Sequence, residues 1–289
     1  MIVNPTSGGG RGEAVGRRMA ALLRARGVSV EVLQTRARGE VAALAGEALA
    51  RGAHQIAICG GDGTVHEAIN ALIKADVLLG LVPCGRGNDL ARALGVTGQV
   101  SSLADTLVYG TVRAIDLGRI GDRYFATVAS LGFDTVVARA VYENRVPFSG
   151  ALAYTLAVLT SLRGFACPHV VLAGDFGRYE GPIFVAATGY NPCHGGGIRV
   201  TPGAIADSGE FEVCLVPQLP KWRALRLFAK AFSGRHVDSP AVRVEKTRTL
   251  SVVSQEPLWI FADGEPICQT PATLSIAPKA LRVQVPSGR

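Results

Sequence analysis

The sequence has little of what marks nucleic-acid-binding or membrane-spanning proteins. Only 6% of its 289 residues are aromatic, and its 30 lysines and arginines are spread along the chain rather than gathered in a basic block. Nucleic-acid readers usually carry a clustered basic surface with interleaved aromatic residues, so we expect no nucleic-acid partner. A run of about 18 apolar residues, the length of a membrane-spanning helix, is also lacking. Any membrane contact is therefore expected to be peripheral.

The six cysteines form no metal-binding or disulfide pattern. They lie far apart, without a C-x-x-C pair or a histidine at zinc-site spacing. Isolated cysteines of this kind are typical of small buried residues in a reducing compartment. Near Met1 there is no charged segment followed by an apolar one, which is the pattern of a secretory signal. We therefore expect a cytoplasmic protein that associates with membranes transiently.

What the sequence does contain is enough apolar material for a large core and a moderate excess of positive charge. Apolar residues make up 48% of the chain, and the formal net charge is +7. The length allows one large domain or two ordinary ones. A moderate basic excess fits an anionic substrate or an anionic membrane surface equally well.

The strongest local pattern is a strand, a glycine turn and a helix around residue 60. The apolar run at 55–58 leads into Gly-Gly-Asp-Gly-Thr at 60–64, after which apolar residues recur at helical spacing. Glycines let the backbone approach a ligand closely, and the first amides of a helix point toward an anion such as phosphate. The alternative is a simple strand-to-helix connection capped by Thr64. Asp62 favours a ligand site, because a carboxylate in an anion-binding turn is unfavourable unless it contacts a metal ion.

Similar glycine-rich loops follow two other predicted strands. Alternation of strands and helices is typical of a parallel sheet covered on both faces. Ligands bind such sheets beyond the carboxyl ends of the strands, so the three loops are expected to share one nucleotide site. The predicted strands lie at 2–3, 28–33, 55–58 and 77–82, and the two further loops lie at 4–12 and 83–89.

From about residue 115 the pattern changes to short alternating strands separated by Gly, Pro and Asp turns. This pattern is typical of an antiparallel sandwich or barrel. We therefore predict a doubly wound, mostly parallel α/β nucleotide-binding domain at 1–118 and an antiparallel β-sandwich domain for the substrate at 119–289. An alternative for the last few residues is that they pack back on the first domain.

A basic amphipathic helix is predicted at 221–235. It contains five bases and no acids, with Trp222, Leu225, Phe228 and Phe232 near one face. Such a helix either lies on an anionic membrane surface or packs its apolar face against the sheet. The sequence leaves both alternatives open.

Five motifs in the same order resemble one known family. They are Asn-Pro-Thr-Ser-Gly at 4–8, Gly-Gly-Asp-Gly-Thr at 60–64, the loop and helix at 83–95, three glycines at 195–197 and Asp-Gly-Glu at 263–265. Together they resemble the diacylglycerol kinase catalytic-domain family, specifically its bacterial soluble lipid kinases. The combination is specific, although Gly-Gly-Asp-Gly alone is shared with NAD kinases and phosphofructokinases.

The resemblance implies a lipid kinase that transfers the γ-phosphoryl group of ATP, with Mg²⁺, to the hydroxyl of diacylglycerol or a related lipid alcohol. Its first domain is expected to be similar to NAD kinases and phosphofructokinases. The nucleotide contacts implied at matched positions are Asn4, Ser7, Thr35, Gly60, Gly61, Asp62, Gly63, Thr64, Val65, His66, Gly85, Arg86 and Asn88.

The resemblance also implies roles for five carboxylates. Asp62 would act on Mg²⁺ directly or through water, with Asp89 and Asp116 as polar support. The turn at 263–265 would supply the carboxylate that accepts the proton of the lipid hydroxyl, with Asp263 as the first candidate and Glu265 as the second. Taken alone, the same three residues predict a plain hairpin turn.

Three positions depart from the family's usual pattern. Arg86 stands where relatives usually have threonine, and its guanidinium either adds a phosphate contact or blocks the pocket. Ser208 stands where relatives usually have an aspartate that binds a structural Mg²⁺, and serine is a poor ligand for such a cation. Ala151 stands where relatives often have a lysine. The residues of this weakened metal site are Ile205, Asp207, Ser208 and Glu210.

Two other functions are compatible with the sequence. A kinase of a soluble substrate, similar to NAD kinases, would share the motif at 60–63. A non-catalytic lipid-binding or nucleotide-binding protein would account for Arg86, Ser208 and Ala151. The oligomeric state stays open, with a homodimer as one alternative.

Overall fold

The computed structural model describes residues 1–142 and 151–287. The chain divides into two compact units: unit 1 comprises Met1–Leu117 and Pro278–Arg289, and unit 2 comprises Gly118–Ala277. Within the described residues, no helix combines the length and the apolar character needed to cross a bilayer.

Unit 1 is an α/β unit in which strands and helices alternate. The elements are β1 (Ile2–Val3), α1 (Ser7–Gly10), α2 (Gly12–Ala25), β2 (Leu33–Gln34), α3 (Val41–Ala50), β3 (Gln55–Gly60), α4 (Asp62–Leu72), β4 (Leu78–Pro83), α5 (Asp89–Ala93), α6 (Val100–Tyr109) and β5 (Thr111–Ile120). The parallel strands run in the order β4, β3, β1 and β2.

The core of unit 1 lies around its central strands. Five of the six residues of β3 are buried, as expected for a parallel strand covered on both faces. Ile56 and Ile58 of β3 pack in the same core as Ile69 and Leu72 of α4, and all four are almost fully buried. The apolar spacing after residue 64 therefore forms the buried face of a helix, as predicted.

The predicted strand at 28–33 is much shorter in the structure. The observed strand β2 contains only Leu33 and Gln34, which pair with Ile2 and Val3 of β1. Because β1 is itself two residues long and β2 is the last strand in the order, residues 28–32 have no strand beside them to pair with. The alternating pattern therefore predicted too long a strand, because a strand also needs a partner of matching length.

Unit 2 is built from antiparallel strands. The elements are β6 (Arg123–Phe125), β7 (Val128–Gly132), α7 (Phe133–Tyr142), α8 (Ala151–Gly164), β8 (His169–Gly174), β9 (Gly177–Gly189), β10 (Phe211–Pro217), α9 (Lys221–Ala231), a 3₁₀ helix (Arg235–Asp238), β11 (Arg243–Thr247), β12 (Thr249–Ser254), β13 (Trp259–Ala262), β14 (Glu265–Gln269) and β15 (Ala272–Val285). The prediction of a parallel α/β part followed by an antiparallel β part is confirmed.

The long strand β9 links two groups of strands in unit 2. Its first half pairs with β8, and its second half pairs with β7 and β10. Helices α7, α8 and α9 contribute to an apolar cluster with β7, β9 and β10. The rings of Phe133 and Phe184 stack in this cluster, with their centroids 4.8 Å apart.

The last strand, β15, contributes to both units. Its first residues pair with β12 in unit 2, and Val283 pairs in parallel with Leu79 of β4 in unit 1.

Candidate active site

Two of the three glycine loops in unit 1 are joined by direct hydrogen bonds. Asn4 follows β1, and its backbone N–H donates to the carbonyl of Cys59 at 2.9 Å. The side-chain amide of Asn4 donates to Oγ1 of Thr64 at 3.0 Å. The carboxyl ends of β1 and β3 therefore meet at one edge of the sheet, as parallel strands require.

Asp62 connects the loop after β3 to the loop after β4. One carboxylate oxygen of Asp62 accepts the N–H of Asn88, and the other accepts the N–H of Asp89, each at 2.7 Å. Hydrogen bonds to an ionised acceptor at this distance are among the stronger ones in proteins. Asp62 therefore fixes the position of the third loop in this structure, a role that its sequence motif alone did not reveal.

The backbones of these loops approach each other so closely that side chains are excluded. A Cβ atom placed on Gly85 would lie 2.5 Å from the Cα of Gly61, and one placed on Gly60 would lie 2.6 Å from Thr64. Asn88 has a positive φ of 54°, and its side chain both accepts from and donates to the backbone of Gly85 at 2.9 Å. Packing therefore requires glycine at 60 and 85, whereas a Cβ atom on Gly61 would lie 3.2 Å from the Cα of Gly85.

This packing leaves a small hollow at the start of α4. Its lining includes Gly60, Gly61, Asp62, Val65 and Asn88, together with apolar residues of β3, β4 and α5. The first amides of a helix have no acceptor within the helix, and they favour a bound anion. Unit 1 therefore offers backbone donors and close glycine packing at the place where the sequence predicts phosphate.

The other predicted nucleotide contacts are distributed around this edge. Ser7 begins α1, and its N–H donates to the carbonyl of Asn4 at 3.3 Å. Thr35 follows β2 and is buried, and its N–H donates to Val3. His66 is also buried, whereas Arg86 lies on an exposed part of its loop. Ser7 therefore lies within the first loop, and His66 lies within α4.

A fourth loop, at 35–40, contains the predicted nucleotide contact Thr35, but the sequence did not predict the contacts of its other residues. The carboxylate of Glu40 accepts the N–H groups of Arg36 at 2.6 Å and Ala37 at 3.2 Å, and these bonds lower the pKa of Glu40. Glu67 of α4 accepts the N–H of Gly39 at 3.1 Å. The amides that Glu40 accepts lie upstream of α3, and its side chain makes no capping hydrogen bond to the helix, so no helix-capping signal in the sequence marks this loop.

Asp116 and Asp89 are buried polar residues of unit 1. Asp116 is 3% exposed, and its carboxylate accepts the N–H of Lys279 at 2.9 Å. Asp89 is 4% exposed and begins the short helix α5. This hydrogen bond joins β5 to the last part of β15. The predicted role of Asp116 and Asp89 in supporting a metal ion stays a prediction.

In unit 2, Asp263 and Gly264 form a tight hairpin turn between β13 and β14. Both have positive φ, 52° and 82°, which is the backbone of a type I′ turn. The Asp263 carboxylate accepts the N–H of Ala126 at 2.7 Å, and it accepts the N–H and the hydroxyl of Thr127 at 2.8 and 2.6 Å. The turn is therefore a hairpin, as its residues taken alone predict, and it is anchored to residues 126–127.

The residues of the predicted structural metal site form a compact turn. The Ser208 hydroxyl lies 3.0 Å from the carbonyl oxygen of Ile205 and 3.1 Å from that of Glu210. In the part of the chain that the structure describes, no three His, Cys, Asp or Glu side chains are grouped to hold a metal ion. The serine hydroxyl thus occupies the space between two carbonyl oxygens, and these residues do not fit a bound Mg²⁺.

The side chain of Ala151, the third departure, lies outside the described residues.

An apolar cavity lies inside unit 2 under α9. Its cavity volume is about 90 Å³. The polar residues at its wall include Asp134 and His194, whose carboxylate oxygen and Nε2 lie 3.5 Å apart. The apolar lining includes Phe133, Val158, Phe184, Val216, Leu227 and Phe228.

Two protein families together match almost the whole chain. The family described as the diacylglycerol kinase catalytic domain matches residues 1–120, and the YegS C-terminal NAD kinase beta sandwich-like domain matches residues 127–285. A protein of Mycobacterium tuberculosis (strain ATCC 25618 / H37Rv) named diacylglycerol kinase is 32% identical over 292 residues, which is 99% of this chain and 94% of that protein.

Two further matches agree with these. A Pseudomonas savastanoi pv. phaseolicola protein named "Probable lipid kinase YegS-like" is 31% identical over 266 residues, covering 91% of this chain and 86% of that protein. A crystal structure of a diacylglycerol kinase from Bacillus anthracis str. Sterne has the same fold, with a TM-score of 0.76 at 19% identity, covering 98% of this chain and 95% of that one. The chain therefore belongs to the diacylglycerol kinase catalytic domain family, and it is an enzyme of the kinase class.

Proposed function

We propose that this kinase transfers the γ-phosphoryl group of ATP to the hydroxyl of diacylglycerol or a related lipid alcohol. The observation that carries the choice of a lipid is the apolar cavity of unit 2, which is too apolar for a dinucleotide or a polyol. The names of the relatives, diacylglycerol kinase and lipid kinase, agree with this acceptor.

ATP is proposed to bind at the glycine loops of unit 1. The amides at the start of α4 would donate hydrogen bonds to its phosphate oxygens, and the glycines at 61 and 85 would let the backbone lie close to them. Both Asp62 oxygens already accept amides at 2.7 Å, which fits an Mg²⁺ ion held chiefly by phosphates and water with Asp62 acting through water. Such an ion would neutralise charge on the phosphate oxygens.

Within the turn at 263–265, we propose that Glu265 accepts the proton and that Asp263 positions the turn. As the lipid hydroxyl oxygen bonds to the γ-phosphorus, the bond to the leaving ADP oxygen breaks and the hydroxyl proton passes to a carboxylate. Three donors hold the Asp263 carboxylate, so a change there would disturb the anchoring of the hairpin. Glu265 is half-buried and begins β14, and it would act from that anchored position.

Filling the cavity is expected to discriminate among acceptors by chain length. Ala224 lies on α9 at the wall of the cavity and is 3% exposed, so Ala224→Phe places a ring where an acyl chain would lie. We expect KM for a long-chain diacylglycerol to rise about tenfold or more, since losing burial of two methylenes alone costs about 1.6 kcal/mol. KM for ATP should stay unchanged.

The measurement is transfer of labelled phosphate from ATP to dioctanoyl and dioleoyl glycerol in mixed micelles. The control is Val253→Phe, which adds the same ring on β12 at a position that is 44% exposed. Turnover of the short-chain lipid reports a folded enzyme. An unchanged ratio of the two KM values in Ala224→Phe would contradict a chain-binding role of the cavity.

Helix α9 is proposed to contact an anionic membrane surface. Its inner residues, including Ala224 and Phe228, pack in the apolar cluster of unit 2. Trp222 and Phe232 are nevertheless 54% and 57% exposed, and Arg223 and Arg226 each lie 5.1 Å from the Trp222 ring centroid. Packing in the protein and membrane contact are therefore compatible for this helix. One face packs against the apolar cluster of unit 2, while exposed apolar and basic residues remain available to a membrane surface.

Removing the exposed charges of α9 is expected to weaken vesicle binding. Each basic residue near an anionic surface contributes about 1 kcal/mol, so changing Arg223, Arg226 and Lys230 together to glutamine should reduce binding to phosphatidylserine vesicles about 100-fold at low salt. Lys221 is kept because it donates to the carbonyl of Arg163 at 2.6 Å.

Vesicle sedimentation at several salt concentrations measures this effect. The control variant changes Arg178, Arg243 and Arg248 to glutamine, which removes the same charge from exposed positions elsewhere in unit 2. Equal losses of binding in the two variants would mean that net charge, rather than α9, governs membrane contact.

A further inference from the structure

Two cysteine thiols meet directly behind the glycine loops of unit 1. Cys59 lies in β3, and Cys84 directly follows β4. Their sulfur atoms are 3.8 Å apart, and both residues are buried. Cys59 pairs with Val82 in the sheet, and Cys84 lies two residues beyond Val82, just past the end of β4. The distance between the two sulfur atoms shows that the side chains are in contact.

Of the two thiols, Cys84 has the lower pKa and the greater exposure, 7% against 0% for Cys59. The pKa of Cys84 is lowered, chiefly by the hydrogen bond with Cys59, against the opposing effect of burial. The Arg11 guanidinium and the Ser7 hydroxyl lower it further. The pKa of Cys59 is raised by the same hydrogen bond and by burial. The thiolate is the nucleophile in cysteine oxidation, so oxidation would begin at Cys84.

We propose that Cys59 and Cys84 form a reversible disulfide when the protein meets a hydroperoxide, and that this bridge weakens nucleotide binding. In the first step the Cys84 thiolate attacks the peroxide, the O–O bond breaks, and Cys84 becomes a sulfenic acid while the other oxygen leaves as water or an alcohol. In the second step Cys59 sulfur attacks Cys84 sulfur, and the departing hydroxide takes the Cys59 proton and leaves as water. The two thiols together lose two electrons and two protons, and the peroxide takes up both electrons.

The loops have little space in which to accommodate this bridge. A disulfide bond is about 2.05 Å long, so the sulfurs must approach by about 1.7 Å from their present 3.8 Å. The carbonyl of Cys84 would lie 2.1 Å from a Cβ atom on Gly8, and Cys84 also donates its N–H to Gly60 at 3.1 Å. Closely packed atoms transmit such a shift rather than absorb it. The first, second and third loops would therefore move together.

The disulfide itself can be tested without any assay of activity. The whole protein is treated with hydrogen peroxide, its remaining thiols are alkylated under denaturing conditions, and peptides are mapped by mass spectrometry with and without dithiothreitol. We expect a linked peptide pair joining Cys59 and Cys84 that dithiothreitol separates. The control is the double variant Cys167→Ser and Cys268→Ser, which removes two half-buried thiols and retains the pair. Absence of the linked peptides in both proteins would overturn the proposal.

The effect on nucleotide binding rests on the proposed function of unit 1. Binding of a fluorescent ATP analogue is measured on reduced, oxidised and re-reduced protein, and we expect oxidation to weaken it roughly tenfold or more, because small misplacements of a binding geometry are costly. The variant Cys59→Ser should bind the analogue and lose this sensitivity to peroxide. If the affinity for the ATP analogue were unchanged in protein that carries the disulfide fully formed, the proposed effect of the disulfide on nucleotide binding would be overturned. If the reduced protein bound no nucleotide, the proposed kinase function would fail, whereas the peptide map would still decide the disulfide.

Discussion

Replacing Asp62 by asparagine is expected to lower kcat/KM at least about 100-fold, since a misplacement of about 1 Å in a reacting geometry can cost that much. The two Asp62 oxygens accept the N–H groups of Asn88 and Asp89, each at 2.7 Å. Asparagine has one acceptor oxygen, so its NH₂ group would face one of these donors. An unsatisfied buried donor costs about 1–3 kcal/mol, and the loop is expected to shift. Asp62→Ala removes both acceptors and should abolish turnover.

The measurement is phosphoryl transfer together with the affinity for ATP. Asp76→Asn is the matched control, because it makes the same chemical change in unit 1 on a side chain that is 93% exposed. The control should keep activity close to that of the unaltered enzyme. An Asp62→Asn enzyme with unchanged kcat/KM and unchanged ATP affinity would contradict the positioning role of Asp62.

The second large effect is expected at the hairpin of unit 2. Glu265→Gln should lower kcat by about 10²–10⁴, which is the usual contribution of a positioned proton acceptor. KM for ATP and the melting temperature should change little, because glutamine has nearly the same shape. Asp263→Asn should lower both kcat and the melting temperature, since the asparagine NH₂ would face one of the donors at Ala126 and Thr127.

Comparing kcat with thermal unfolding separates the two roles. Glu256→Gln, at an exposed position of unit 2, is the control for the change of glutamate to glutamine. If Glu265→Gln kept full activity while Asp263→Asn lost it without loss of stability, Asp263 itself would be the proton acceptor.

The sequence predicted the loops of unit 1 well because their requirements are local. A strand end, consecutive glycines and a following helix can be read from neighbouring residues, and the turn at 60–64 therefore lies where it was expected. What Asp62 does with its carboxylate could not be predicted in this way. Its partners, Asn88 and Asp89, lie more than 20 residues away in sequence, and they become neighbours only because β3 and β4 pair.

The hairpin of unit 2 shows the same limit. The sequence Asp-Gly predicted a turn, and the positive φ angles of Asp263 and Gly264 agree with it. The anchoring of Asp263 to Ala126 and Thr127 spans more than 130 residues, so it depends on the pairing of β13 with β7. The cavity under α9 could not be predicted from sequence either, because it is formed by helices and strands that are distant in sequence.

Arg86 remains the departure with the most direct bearing on activity. The residue is exposed on the third loop, while Asn88 and Asp62 hold the backbone of that loop on its buried side. Because these bonds do not use the Arg86 side chain, replacing the usual threonine leaves the backbone contacts of the loop intact.

The proposed reaction is tested most directly by following labelled γ-phosphate from ATP to a panel of acceptors. The panel contains diacylglycerol, ceramide, sphingosine and phosphatidylglycerol in mixed micelles, together with NAD as a soluble acceptor, and each product is identified by mass spectrometry. We predict a labelled phospholipid from diacylglycerol or a related lipid alcohol, and no labelled NADP. Labelling of NAD alone, or of no acceptor by a protein that binds ATP and Mg²⁺, would contradict the proposed function.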